Sequence, residues 1–128
     1  MEKTIKIGNK DVTFKCTAST PLRYKAQFGK SFLADAANLM KFADTKKTKK
    51  VKGADGKVTE KDDYDFTKLN LELIYNLAWA MAKTADHNLP DPLTWLDTFD
   101  VFPLDIIAPI VSELLEHTLQ SDTSAKNV

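Results

Sequence analysis

The chain has 128 residues, 43% of them apolar and 28% charged, and its 18 basic and 18 acidic side chains cancel to a formal net charge of zero. That length fits one domain with its own core, and only 4 Gly and 5 Pro exclude long low-complexity linkers. The single cysteine, Cys16, excludes an internal disulfide and points to a reducing compartment. Met1-Glu2-Lys3-Thr4 leads into no apolar segment, and no apolar run approaches the length of a membrane span. A soluble cytoplasmic protein without a signal peptide is therefore expected.

Thr4-Ile5-Lys6-Ile7 and Val12-Thr13-Phe14-Lys15-Cys16 alternate apolar with polar residues, with Gly8-Asn9-Lys10-Asp11 between them. This predicts a β-hairpin over 3–16, which must lie on helices to be stable. Thr20 as a cap and Pro21 at the first helical position open a helix through Leu22, Tyr24, Ala26 and Phe28, and Gly29 ends it. Ser31 can cap a second helix with the stripe Phe32, Ala36, Leu39, Met40 and Ala43. Residues 44–65 gather Lys46, Lys47, Lys49, Lys50, Lys52 and Lys57, with few apolar side chains. A mobile basic loop is expected there, carrying at most a weak hairpin around Gly53-Ala54-Asp55-Gly56.

The third helix is predicted from about Phe66 to Thr84. Its polar stripe is narrow (Glu72, Asn76 and Lys83), and Tyr75 and Trp79 border it. A helix apolar nearly all round is central to its fold or buried by a partner. Asp91-Pro92 opens a short helix carrying Trp95, Leu96 and Phe99. After a turn at Asp100 to Pro103, a last helix runs to about Leu119 on the face Leu104, Ile107, Ile110, Val111, Leu114, Leu115 and Leu119. Pro109 should kink or restart it. Residues 121–128 read as a disordered polar tail. The expected fold is mainly α: an N-terminal hairpin and about five helices in one compact domain, 1–120.

No catalytic grouping is legible. His87 and His117 are far apart and no second cysteine exists to complete a zinc site. There is no Gly-x-Ser-x-Gly, Cys16 lies in a predicted strand, and Gly53-Ala54-Asp55-Gly56-Lys57 lacks the spacing of a phosphate loop. An enzyme, a metal and a cofactor are accordingly not expected.

Two groups have two readings each. The lysines of the basic loop (Lys46, Lys47, Lys49, Lys50 and Lys52) are either a solvated surface or an electrostatic contact to nucleic acid or an acidic protein. The lack of aromatics before Tyr64 disfavours single-strand recognition. Tyr75, Trp79, Trp95, Phe99 and Phe102 are either core or partner-binding anchors, and one or two are expected to be exposed in the monomer.

The zero net charge conceals a sorting. Residues 1–68 carry 16 Lys+Arg against 9 Asp+Glu, a balance of +7, and residues 69–128 carry 2 against 9, a balance of −7. The acidic half is also the apolar one, with 27 apolar residues among the 47 from Leu69 to Leu115 and Lys83 as its only base there. Opposite fields steer and orient encounters. Self-association is expected, with a head-to-tail contact as one form.

Three stretches in this order resemble a family. They are Ile5-Lys6-Ile7-Gly8-Asn9-Lys10-Asp11-Val12-Thr13-Phe14-Lys15, then Thr17-Ala18-Ser19-Thr20-Pro21-Leu22-Arg23-Tyr24-Lys25-Ala26-Gln27-Phe28-Gly29-Lys30, and then Leu77-Ala78-Trp79-Ala80-Met81-Ala82-Lys83 leading into Pro92-Leu93-Thr94-Trp95-Leu96-Asp97-Thr98-Phe99. Over residues 3–119 the chain looks like the tail assembly chaperones of long-tailed (siphovirus) bacteriophages and prophages of Gram-positive bacteria. The resemblance implies a non-enzymatic, mainly helical, self-associating protein. It would bind and solubilise the tape measure protein and help recruit tail tube subunits. It would act in the cytoplasm of the bacterial host and be absent from the mature virion. The other readings are a structural virion component, such as a head–tail joining or tail completion protein, and a small nucleic-acid-binding regulator.

Overall fold

Alternating residues at both ends of the chain's first turn build strand β1 (Glu2–Ile7) and strand β2 (Lys10–Lys15), paired antiparallel from Glu2 opposite Lys15 to Ile7 opposite Lys10. The turn is tighter than the four residues predicted. Gly8 (φ +62°) and Asn9 suffice, because a positive φ at the first turn position matches the twist of the strands and glycine adopts it without strain. The computed structural model describes residues 1–43, 47–63 and 70–126, with side chains for 1–41, 50–60 and 70–118.

The remaining elements are α1 (Thr20–Phe28), α2 (Phe32–Ala43), β3 (Lys47–Lys52), β4 (Val58–Asp63), α3 (Leu71–Ala85), α4 (Pro92–Leu96) and α5 (Leu104–Lys126). The mainly helical fold with an N-terminal hairpin and five helices is thus the one the periodicity predicted. Helix α3 is its axis. Strand β2 and helices α1, α2, α4 and α5 all pack on it. Leu73, Ile74, Leu77, Ala78, Trp79, Ala80, Met81 and Ala82 are buried around its circumference. The same cluster takes in Ile7, Phe14, Tyr24, Leu39, Ile107 and Leu114, so the first and last elements share one core.

Local signals set the helix ends, with some shifts. Helix α1 begins at Thr20, after Ser19, and Thr20 does not act as its cap. Thr20 is buried instead, where Oγ1 accepts from the Thr17 N–H (3.0 Å) and pairs with Thr84 Oγ1 (3.0 Å). Gly29 (φ +68°) closes α1 by donating its N–H to Lys25 O. Ser31 Oγ accepts from the Ala34 N–H, as a cap for α2 should. Helix α3 begins at Leu71, after Asn70, which is extended and whose side chain accepts from the Leu73 N–H; the predicted start at Phe66 lies outside the described residues. Helix α5 runs through Pro109 without a restart. Proline leaves the Asp105 carbonyl without its usual partner in the second turn, a loss the packed helix tolerates. The tail predicted at 121–128 falls where no side chain is described, and its last two residues lie outside the described residues.

The basic stretch 44–65 forms the weak hairpin over most of its length, so the expected loop is corrected to a pair of strands. β3 and β4 turn at Gly53–Gly56, where Gly56 has φ +83°. Residues 44–46, including Lys46, and 64–65 lie outside the described residues.

Candidate functional site

Helix α4 is short, and two features hold it. Asp91 accepts the Thr94 N–H on one carboxylate oxygen and the Thr94 hydroxyl on the other (3.2 and 2.6 Å). Those hydrogen bonds hold the Asp91 carboxyl below the usual carboxylate range. Trp95, buried at 4% exposure, pins the helix to the core.

Around Trp95 the sequence-predicted aromatics converge. Its ring meets Phe99 edge-on at 5.3 Å and Phe102 at 5.5 Å, Phe99 and Phe102 stand 5.6 Å apart, and Tyr75 reaches Phe102 from α3 at 5.7 Å. Such edge-to-face sets favour one fixed arrangement beyond their area burial. Four of the five predicted aromatics therefore form one cluster. Trp79 is not part of it. It is buried at 3% exposure, packs edge-on against Phe28 at 5.7 Å and donates Nε1–H to Pro90 O at 2.9 Å. That bond ties α3 to the connection before α4. Lys83 does the same by donating Nζ to His87 O and Leu89 O (2.8 and 2.6 Å).

None of the five aromatics is exposed, so the expected free aromatic surface is absent. Trp79 and Trp95 are buried, while Tyr75, Phe99 and Phe102 are half-buried against the core. The exposed apolar side chains of this region are aliphatic: Leu93 at 71%, Val101 at 71% and Ile106 at 50%. The sequence reading passed over them. One signal was present at Ile106-Ile107, where a helix can turn only one of two adjacent apolar residues to the core. Ile107 is the buried one. Exposed Asp91, Asp97, Asp100 and Asp105 lie in the same stretch. The facing base is Lys10, whose Nζ sits 5.4 Å from the centre of the Phe99 ring.

Two grooves flank this contact. One, of about 390 Å³, runs between β2 and the end of α3 and is lined by Val12, Ala82, Ala85, Leu89, Trp95 and Phe99. The other, of about 340 Å³, lies between the Gly8–Asn9 turn and Asp100–Val101. Both share Lys10, Thr98 and Phe99. The surface offers apolar anchors in an acidic surround.

Of the predicted basic group, Lys50 and Lys52 line neither groove. Within the second hairpin Lys47 is registered opposite Asp63, Thr48 opposite Asp62 and Lys50 opposite Glu60. Lys50 and Lys52 are exposed, the side chains of Lys47 and Lys49 are outside the described set, and Lys46 is outside it altogether. Among the described residues no group of three His, Cys, Asp or Glu side chains could hold a metal ion, and no helix is long and apolar enough to cross a membrane.

Comparison of the chain with protein-family models, with curated proteins and with solved structures finds no match.

Proposed function

We propose that this protein is a tail assembly chaperone of a long-tailed bacteriophage or prophage, a non-enzymatic binder that keeps the tape measure protein soluble and helps bring tail tube subunits to it. The resemblance of the three stretches quoted above supports this. The observation that carries it is the surface at 93–106, where Leu93, Val101 and Ile106 are exposed beside a rigid aromatic cluster and among four aspartates. A holdase needs open apolar contacts for its client and charge to stay soluble itself. On this reading the protein works in the host cytoplasm and is left out of the finished particle.

Co-expression with the tape measure protein tests it. The client should become soluble and co-purify with the native chain. Val101→Lys with Ile106→Lys should remove most of that solubilisation while leaving the circular dichroism spectrum unchanged, because neither side chain is part of the core. A client equally insoluble with and without this protein would reject the proposal. Presence of the chain in purified particles by mass spectrometry would favour a structural virion component instead. A nucleic-acid partner has less to support it, because Glu60, Asp62 and Asp63 stand in the strand paired with the lysines.

A further inference from the structure

Among the described residues, the first hairpin has one covered edge and one open edge. β2 packs along α3, and no described helix packs along β1 in that way. The outward residues of β1, Glu2, Thr4 and Lys6, are all exposed, whereas Thr13 and Lys15 across from Thr4 and Glu2 are half-buried. With a two-residue turn, Ile7 and Lys10 form a hydrogen-bonded pair, and such pairs alternate along an antiparallel ladder. The backbone N–H and C=O groups of Glu2, Thr4 and Lys6 therefore point to the open side. The 2.7 Å contact between Thr4 Oγ1 and Thr13 Oγ1 fits this assignment, because side chains approach most closely at the non-hydrogen-bonded pairs.

We propose that β1 pairs antiparallel with β1 of a second copy of this chain, making a two-fold dimer with a four-stranded sheet. The sequence of the strand selects the register. Only even-numbered residues present bonding groups outward, so the pairings open to two copies place Thr4 opposite Glu2, Thr4 or Lys6 of the other strand. Centring on Thr4 sets Glu2 of each copy opposite Lys6 of the other, and it lets Glu2, Thr4 and Lys6 all exchange backbone bonds. The two neighbouring registers leave these charges without opposite partners. Opposite charges directly across strands favour pairing, and like charges oppose it.

Lysines on an edge usually repel foreign strands. Here Lys6 meets a matching acid only in a copy of its own strand. Lys3, on the inner face, is already held by Glu113 at 3.3 Å. The contact is isologous, so it closes at two copies. It requires no client and stands apart from the chaperone proposal.

Sedimentation of the full chain tests this. The native protein should show a concentration-dependent dimer. Glu2→Lys places Lys opposite Lys at both pairs, and Lys6→Glu places Glu opposite Glu. Each variant alone should dimerise about tenfold more weakly or worse, the effect of roughly 1.4 kcal/mol of lost pairing. An equimolar mixture of the two should recover the dimer, because every Lys then faces a Glu. Recovery also shows that both variants are folded. Thr4→Pro removes an N–H that the hairpin itself does not use and should abolish the dimer. A native chain that stays monomeric at low salt would overturn the proposal. So would a mixture no tighter than its components, or larger head-to-tail assemblies indifferent to these substitutions.

Discussion

Tyr24 is fully buried, yet its hydroxyl is not stranded: it donates to Asp35 Oδ2, with Asn76 of α3 alongside. Asn76 was assigned to the polar stripe of α3, but it is buried among these partners and does not face water. Burial first, and then the bond to Asp35, raise the Tyr24 pKa well above the ordinary phenol value. The sign follows from linkage. The folded state holds this proton more tightly than the unfolded chain, so the contribution is complete below the unfolded value near 10 and is lost as pH rises above it. Thermal melts between pH 8 and 11 should show an alkaline fall in stability that is smaller in Tyr24→Phe. At pH 7 the same substitution should cost roughly 1–2 kcal/mol for the lost hydroxyl bond. The hydroxyl pair of Thr20 and Thr84 is a second polar tie within the core, linking α1 to α3 across 64 residues of sequence. A single residue's spacing reveals neither tie, because each depends on which helices become neighbours.

At the scale of elements, the two hairpins are alike in length and opposite in role. β1–β2 has an apolar face, Ile7, Val12 and Phe14, and is anchored by it to the core. β3–β4 has no such face: from Lys50 to Glu60 every described residue is exposed except Val51, which is half-buried. The two strands pack chiefly on each other, and a lone two-stranded hairpin is marginal in water. Replacing residues 47–63 with a short Gly/Ser linker should therefore shift the melting temperature by no more than about 4 °C, measured by calorimetry. A larger drop would mean that the hairpin braces the helices. The cap and proline signals at Ser31, Gly29 and Asp91 were readable in advance because a helix end is a local problem of unsatisfied N–H and C=O groups. At the head of α3 the apolar pattern runs on upstream and does not mark Asn70, whose side chain accepts from the Leu73 N–H, as the cap.

For the whole molecule, the +7 and −7 halves of the sequence meet in two ion pairs. Lys3 meets Glu113 at 3.3 Å and Lys30 meets Glu72 at 3.8 Å, each pair joining the basic half to the acidic one. All four side chains are well exposed, so a double-mutant cycle on Lys3 and Glu113 should give a coupling below about 1 kcal/mol. A larger coupling would make charge pairing, not the shared apolar core, the main tie between the halves. The sequence by itself determined the helical class, the first hairpin, most helix ends and the central place of α3. These depend on periodicity and capping, which act over a few residues. Only the tertiary structure decided that the aromatics of 75–102 turn inward, that Leu93, Val101 and Ile106 are left outside, and that β1 and not β2 has the open edge. Those outcomes depend on which faces meet, and α3 could settle that only by gathering both halves of the chain around itself.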